Sequence, residues 1–193
     1  MPRYFLLHKP YGTLSQFTPE LPEHRTLGDL YDFPPEVYPV GRLDRDSEGL
    51  LLLTDDTSLN HRLLDPTHGH RRTYWVQVEG APGEGALAAL AAGPPVSIKG
   101  KRHRSLPLDV EVIAPAFPPR TPPVRQRKTV VDTWLALTLR EGKNRQVRRM
   151  CAAVGYPVLR LVRYAIESVS LDDLGPSTVR EVEKEWLWQR LGI

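Results

Sequence analysis

Leu50-Leu51-Leu52-Leu53 is the feature that most restricts how this chain can fold. Four consecutive leucines, with no polar residue alternating through them, read as a short buried strand. Acids crowd both ends of the run: Asp44, Asp46 and Glu48 before it, Asp55 and Asp56 after it. The stretch GRLDRDSEGLLLLTDD (41–56) therefore joins a dry strand to a charged loop, with Arg42 and Arg45 among the acids. Two chemical readings compete: an ion-binding loop, or one carboxylate held at the end of a buried strand. Counted from Asp44, the acids Asp44, Asp46, Glu48 and Asp55 and the glycine Gly49 fall near calcium-loop spacing. Leucines, however, fill the seventh to tenth positions, where such a loop is wet. Pro39 and Gly41 deny it a preceding helix, and its last ligand is Asp rather than Glu. No metal is expected. Asp55 and Asp56 read as turn residues, and Asp46 and Glu48 as partners of the arginines or caps of the turn. A lone Asp44 at a strand boundary is more often structural than catalytic, and at this point both readings stand.

Charge is distributed unevenly. The net charge is only +3, yet residues 97–165 hold 15 Lys or Arg against 4 Asp or Glu, leaving the rest of the chain acidic. These basic residues are interleaved with Trp, Tyr and Pro, which favours a structured nucleic-acid contact over a solvated tail. A chain of 193 residues buries a core without disulfides, and the single Cys151 cannot form an internal bridge, as in a reducing compartment. MPRYFLLHKPYG has no secretory pattern, and no run reaches the ~18 apolar residues of a membrane span. The expectation is a cytoplasmic protein with no membrane contact.

Strands are predicted at RYFLLHKP (3–10), at EGLLLLT, at RRTYWVQVEG (71–80), at PLDVEVIAP, at TWLALTLREG (133–142) and at VLRLVRYAIESVSL. Helices are predicted at RTLGDLYDF, SLNHRLLD, GEGALAALAAG, NRQVRRMCAAVG and VREVEKEWLWQRLG. Five prolines within residues 115–123 impose an extended loop. Strands and helices do not alternate strictly, so the fold class is α+β with a largely antiparallel mixed sheet. Within NRQVRRM, helical periodicity puts Val147, Met150, Cys151 and Val154 on the buried stripe. Arg148 falls at its edge beside Asn144, with Arg145 and Arg149 turned away. His68-Gly-His70 lacks Cys or acids at ligand spacing and reads as a loop.

The segment around Asp44 resembles the catalytic-aspartate motif of the pseudouridine synthases in the RsuA/RluB/RluE branch. HKPYGTLSQF resembles the N-K-P-x-G segment of that family, RRTYWVQVEG its tyrosine strand, EGKNRQVRRM its arginine helix and RLVRYAIESVSL the strand after it. These landmarks occur in the family order over residues 4 to about 182. The chain departs from the pattern at His8 for Asn, Arg72 for Lys and Glu167 for Gly. The motif of the H-K-P segment begins at residue 8, so no S4-type RNA-binding domain is expected, and TPPVRQRKTVVDTWL resembles the short RluE type.

The resemblance implies one catalytic domain over 1–193, an N-terminal lobe of about 1–65 and a C-terminal lobe of about 70–193, with a central catalytic cleft. It implies isomerisation of a uridine to pseudouridine in large-subunit (23S) rRNA near the peptidyl-transferase centre. That reaction breaks the C1′–N1 bond and joins C1′ to C5 with no oxidation and no added water, so no cofactor is expected. Asp44 is the implied carboxylate at C1′, acting by addition or by removing a ribose proton. Arg148 is implied as the cation opposing it, and Tyr74 as the residue against the base that helps move the C5 proton. RNA contacts are expected from Arg42, Arg163, the loop with Arg125, Arg127 and Lys128, and the helix start with Lys143, Asn144, Arg145 and Arg149, whose free N–H groups would bind phosphate. The uridine must leave its stack to be reached. The expected partner is ribosomal RNA and the expected state a monomer.

Overall fold

The computed structural model describes residues 1–125 and 127–193. In chain order its strands and helices begin with β1 (Tyr4–Lys9), β2 (Tyr38–Pro39), β3 (Glu48–Thr54), α1 (Thr57–Leu64), β4 (Arg72–Glu79) and α2 (Glu84–Ala91). They continue with β5 (Pro95–Ile98), β6 (Lys101–Arg104), β7 (Asp109–Ile113), β8 (Asp132–Leu139) and α3 (Gln146–Ala153). Last come β9 (Val158–Ile166), β10 (Val169–Ser170), β11 (Val179–Val182) and α4 (Lys184–Leu191). Two compact units result: Met1–His70 with Val162–Ile193, and Arg71–Leu161. Residues 162–193, expected in the second lobe, thus pack in the first.

In the first unit the leucine run behaves as read, because β3 is buried at all seven positions. Neighbours on both edges explain this. β1 runs antiparallel to it, with Tyr4 opposite Thr54 and Lys9 opposite Gly49. β9 runs parallel to it, with Gly49 opposite Arg163. Alternation sends Leu51 and Leu53 to one face, where they pack with Phe5, Leu7, Leu27, Phe33 and Val37. Leu50 and Leu52 point to the other face and are equally dry. At Gly49 the backbones approach so closely that a Cβ would lie 2.3 Å from the Arg163 carbonyl oxygen and 2.5 Å from its nitrogen. With φ of +115° as well, that position admits only glycine.

Two sequence expectations fail in this unit. RTLGDLYDF gives only a 3-10 turn at Leu27–Asp29. The final amphipathic helix is shorter than its pattern: Val179–Val182 extend instead and pair antiparallel with β1, from Leu7–Val179 to Tyr4–Val182. Backbone pairing to an otherwise open edge outweighs helical spacing there.

The second unit builds a sheet in the order β9–β4–β8–β7, β9 entering it through its first residues. β4 and β8 are antiparallel along their full length, as are β7 and β8. β1–β3, β1–β11, β4–β8 and β7–β8 are antiparallel and β3–β9 is parallel, as an α+β fold with a largely antiparallel mixed sheet requires. Val76 and Val78 of β4, Leu135, Leu137 and Leu139 of β8, and Val147, Met150 and Cys151 of α3 form the core. A separate two-stranded hairpin, β5–β6, was not foreseen in the sequence. Its strands PVSI and KRHR offer few apolar residues: Val96 is buried in the core and Ile98 packs partly buried against it.

Candidate active site

Asp44 opens the turn into β3, closed by the Ser47 amide donating to the Asp44 carbonyl at 3.0 Å. The side chain is half-buried. The loop that follows β1 holds this turn from both sides. The Ser15 hydroxyl donates to the Leu43 carbonyl at 2.8 Å and accepts from the Leu43 amide at 3.0 Å. On the other side of Asp44, the Gly12 amide donates to the Arg45 carbonyl at 2.8 Å, and Arg45 Nε returns a bond to the Gly12 carbonyl. Residues immediately before and after Asp44 are thereby fixed to residues 12–15. The H-K-P-Y-G-T-L-S segment is a brace for the aspartate.

Lys9 anchors that brace. Its side chain is fully buried, with Nζ donating to the Thr13 carbonyl at 2.7 Å and the Pro10 carbonyl at 3.2 Å. Burial pushes the Lys9 ammonium down to about 8, although the carboxylates of Glu48, Asp46 and Asp44 act to raise it; Arg163 pushes the same way as burial. Lys9 and Arg163 are therefore buried cations within electrostatic reach of one another and of the acids of the loop. Sequence reading missed Lys9 because an isolated lysine is almost always exposed. Its place between an apolar strand and Pro10 was the available signal.

Arg163 corrects an expectation. It is not a surface contact for RNA: it is only 5 % exposed, and its Nε donates to the Leu50 carbonyl at 2.8 Å. It acts as a buried tie between β9 and β3. Glu48, also 5 % exposed, lies on β3 itself rather than in a wet loop. Asp56 caps α1 by accepting from the Ser58 amide at 2.9 Å, and Asp55 accepts from the Arg3 amide at 2.7 Å. The acids of the opening stretch thus have separate tasks. At Glu167 the backbone adopts φ of +49°, the left-handed conformation that suits the glycine expected there. The glutamate side chain meets His70 Nδ1 at 3.2 Å.

In the second unit Tyr74 lies on β4 opposite Leu137, half-buried against the core. On α3, Val147, Met150 and Cys151 are buried as the periodicity predicts, and Arg148 is half-buried beside them. Burial pushes the Cys151 thiol up to about 12, and the Arg148 charge draws it the other way. That pull places the guanidinium close to the apolar stripe. Arg145 and Asn144 are exposed, and Arg145 caps the helix in the left-handed conformation, so the helix begins at Gln146.

Two expectations about this helix start are corrected. The Lys143 amide is not free for phosphate, because it donates to Gln146 Oε1 at 3.0 Å. Arg149 does not point into solvent alone: its Nη1 donates to the Ser97 carbonyl at 2.7 Å and its Nε to the Asn144 carbonyl. Lys143, Arg125, Arg127 and Lys128 are exposed, Arg127 pairing with Glu79 at 3.5 Å. Arg42 is exposed in the first unit and donates to Gln16 Oε1 at 2.8 Å. Among the described residues no group of three or more His, Cys, Asp or Glu is gathered for a metal, and no helix is long and apolar enough to cross a membrane.

Comparison with known proteins supplies the family. Residues 3–153 match the model of the RNA pseudouridylate synthases. The chain is 56% identical over 172 residues to the ribosomal large subunit pseudouridine synthase E of Xanthomonas axonopodis pv. citri, covering 89% of each. To the protein of the same name from Vibrio vulnificus it is 48% identical over 181 residues, covering 93% of this chain and 75% of that one. Among solved structures, a crystal structure of a pseudouridylate synthase superposes with a TM-score of 0.78 at 29% identity, over 98% of this chain and 74% of the other. With the family model matching residues 3–153 and relatives 48–56% identical over most of the chain, the chain belongs to the RNA pseudouridylate synthase family.

Proposed function

We propose that this protein isomerises one uridine of large-subunit (23S) ribosomal RNA to pseudouridine, with Asp44 as the reacting carboxylate. The observation that carries the reading is the brace. Hydrogen bonds on both sides of Asp44 fix the backbone that presents it, while Lys9 and Arg163 supply buried positive charge nearby. Charge develops at C1′ as the C1′–N1 bond breaks, and a preorganised carboxylate stabilises it there without reorganising. The uracil turns, C5 joins C1′, and the C5 proton is lost while N1 gains one, so atoms balance with no co-reactant. Tyr74 is the proposed partner in the C5 proton movement and Arg148 the proposed cation. Large-subunit RNA is supported by the names of the relatives at 48–56% identity. Exposed Arg42, Arg125, Lys128, Lys143 and Arg145 are proposed contacts to its phosphates. The protein is proposed to act as a monomer in the cytoplasm.

The test is chemical mapping of pseudouridine in large-subunit rRNA incubated with the protein and with Asp44→Asn. The variant is expected to bind the RNA with unchanged affinity and to form no pseudouridine. Pseudouridine formed at the same site by Asp44→Asn would overturn the assignment.

A further inference from the structure

The β5–β6 hairpin has no part in the chemistry above, yet it is held with care. Its two-residue turn is Lys99-Gly100, with φ of +50° and +77°. Positive φ at both positions matches the turn that suits the twist of a tight hairpin, but the first normally takes Asn, Asp or Gly. Lysine stands there at a conformational cost. A two-stranded hairpin is marginal by itself, and this one is fastened only through its inner side and its base. Val96 enters the core. His103 Nε2 meets Glu141 Oε2 at 3.0 Å. The Ser97 carbonyl accepts from Arg149, and Ser105 Oγ accepts from Gln146 Nε2 at 3.1 Å. Gln146 also donates to Glu141 Oε1 at 2.6 Å and accepts from the Lys143 amide. Polar ties through Glu141, Gln146 and Arg149 therefore join the hairpin to the beginning of α3.

These fastenings leave four cations outside. Lys99, Lys101, Arg102 and Arg104 are all exposed. Alternation puts Arg102 and Arg104 on the face opposite His103, about 6.6 Å apart along the strand. Three other arginines of this unit are committed: Arg149 to Ser97, Arg160 to the Pro118 carbonyl and the Phe117 ring, Arg127 to Glu79. Exposed cations on a hairpin tied to the start of α3, where Lys143 and Arg145 are exposed as well, suit a polyanion, and charge complementarity selects an RNA backbone.

We infer that the β5–β6 hairpin is an RNA-gripping finger whose Lys99, Lys101, Arg102 and Arg104 neutralise substrate phosphates. The inference rests on the proposed rRNA substrate, and it separates affinity from chemistry: the finger contributes to holding the RNA and not to the rate of isomerisation once bound. The experiment compares the wild type with K99Q/K101Q/R102Q/R104Q, and with R102Q and R104Q singly, on transcribed large-subunit rRNA fragments. Binding is measured across a salt series and pseudouridine formation at saturating RNA.

The expected result is a slope of log K against log salt that is shallower by about 3 in the quadruple variant and by about 1 in each single variant. KM should rise with kcat unchanged. Wild-type slopes in all three variants would overturn the inference. So would self-association of the quadruple variant with unchanged single-variant slopes, which would mean that the charges only guard the open edges of the hairpin. If the wild type forms no pseudouridine in these fragments, the proposed function fails, while the salt series still decides on the finger.

Discussion

The loop around Asp44 and the region around α3 use charge in opposite ways. Behind the Asp44 loop two cations are interior: Lys9 is wholly buried and Arg163 nearly so, with Lys9 Nζ and Arg163 Nε donating to backbone carbonyls. On β5–β6 and at the start of α3, Lys99, Lys101, Arg102, Arg104, Lys143 and Arg145 are exposed, and the buried polar residues Ser105 and Gln146 are neutral. Burial decides the task. An interior charge gives up its hydration and must be compensated, so it fixes geometry. An exposed charge keeps its water and stays available to an anion such as phosphate.

The sharpest separation comes from Asp44→Asn, which should lower the isomerisation rate by ~10⁴-fold or more while the salt dependence of RNA binding stays as in the wild type. Loss of binding in that variant would erase the distinction between the regions. Next in size is Gly49→Ala. The added methyl cannot coexist with the Arg163 backbone, and unfolding in denaturant should show a loss of about 3 kcal/mol or more. An equally stable variant would mean that β3 and β9 part easily.

Lys9 gives a pH test. Its ammonium titrates near 8 in the folded protein and near 10.5 when exposed by unfolding. Between those values the unfolded chain binds more protons, so the stability of the wild type relative to Lys9→Met should rise with pH, by up to roughly 3 kcal/mol. Below pH 8 the difference should be flat. A difference that is flat throughout would show that Lys9 is not desolvated. Smallest is Gln146→Ala, which removes ties to Glu141 and Ser105. It should cost about 1–3 kcal/mol and speed amide exchange in β5–β6, leaving the Asp44 loop protected. Loosening of both regions together would sink the contrast.

Much of this was legible in the sequence because hydrophobic spacing carries it. The leucine run, the alternation of β4 and β8 and the stripe of α3 each announced an element and a buried face. Asp44, Tyr74 and Arg148 emerged from motifs, and the structure puts Arg148 at the edge of the stripe as its position requires. What stayed hidden depends on partners distant in the chain. β11 has helical spacing and becomes a strand because β1 offers an edge. β5 and β6 have too few apolar residues to announce themselves. The burial of Lys9 and Arg163 is decided by carbonyls and acids that only the fold brings near.

The first unit is interrupted in the chain: residues 162–193 complete what residues 1–70 begin. Protein synthesis therefore imposes an order. β1, β3 and the Asp44 loop leave the ribosome early, but the strand that lies against Gly49 is made only after all of Arg71–Leu161. The second unit is contiguous and contains its whole core by Leu161. A nascent chain of that length has its basic surface ready while its aspartate still lacks the neighbouring strand. On this order the proposed RNA grip is complete before the proposed reacting carboxylate has its full surroundings.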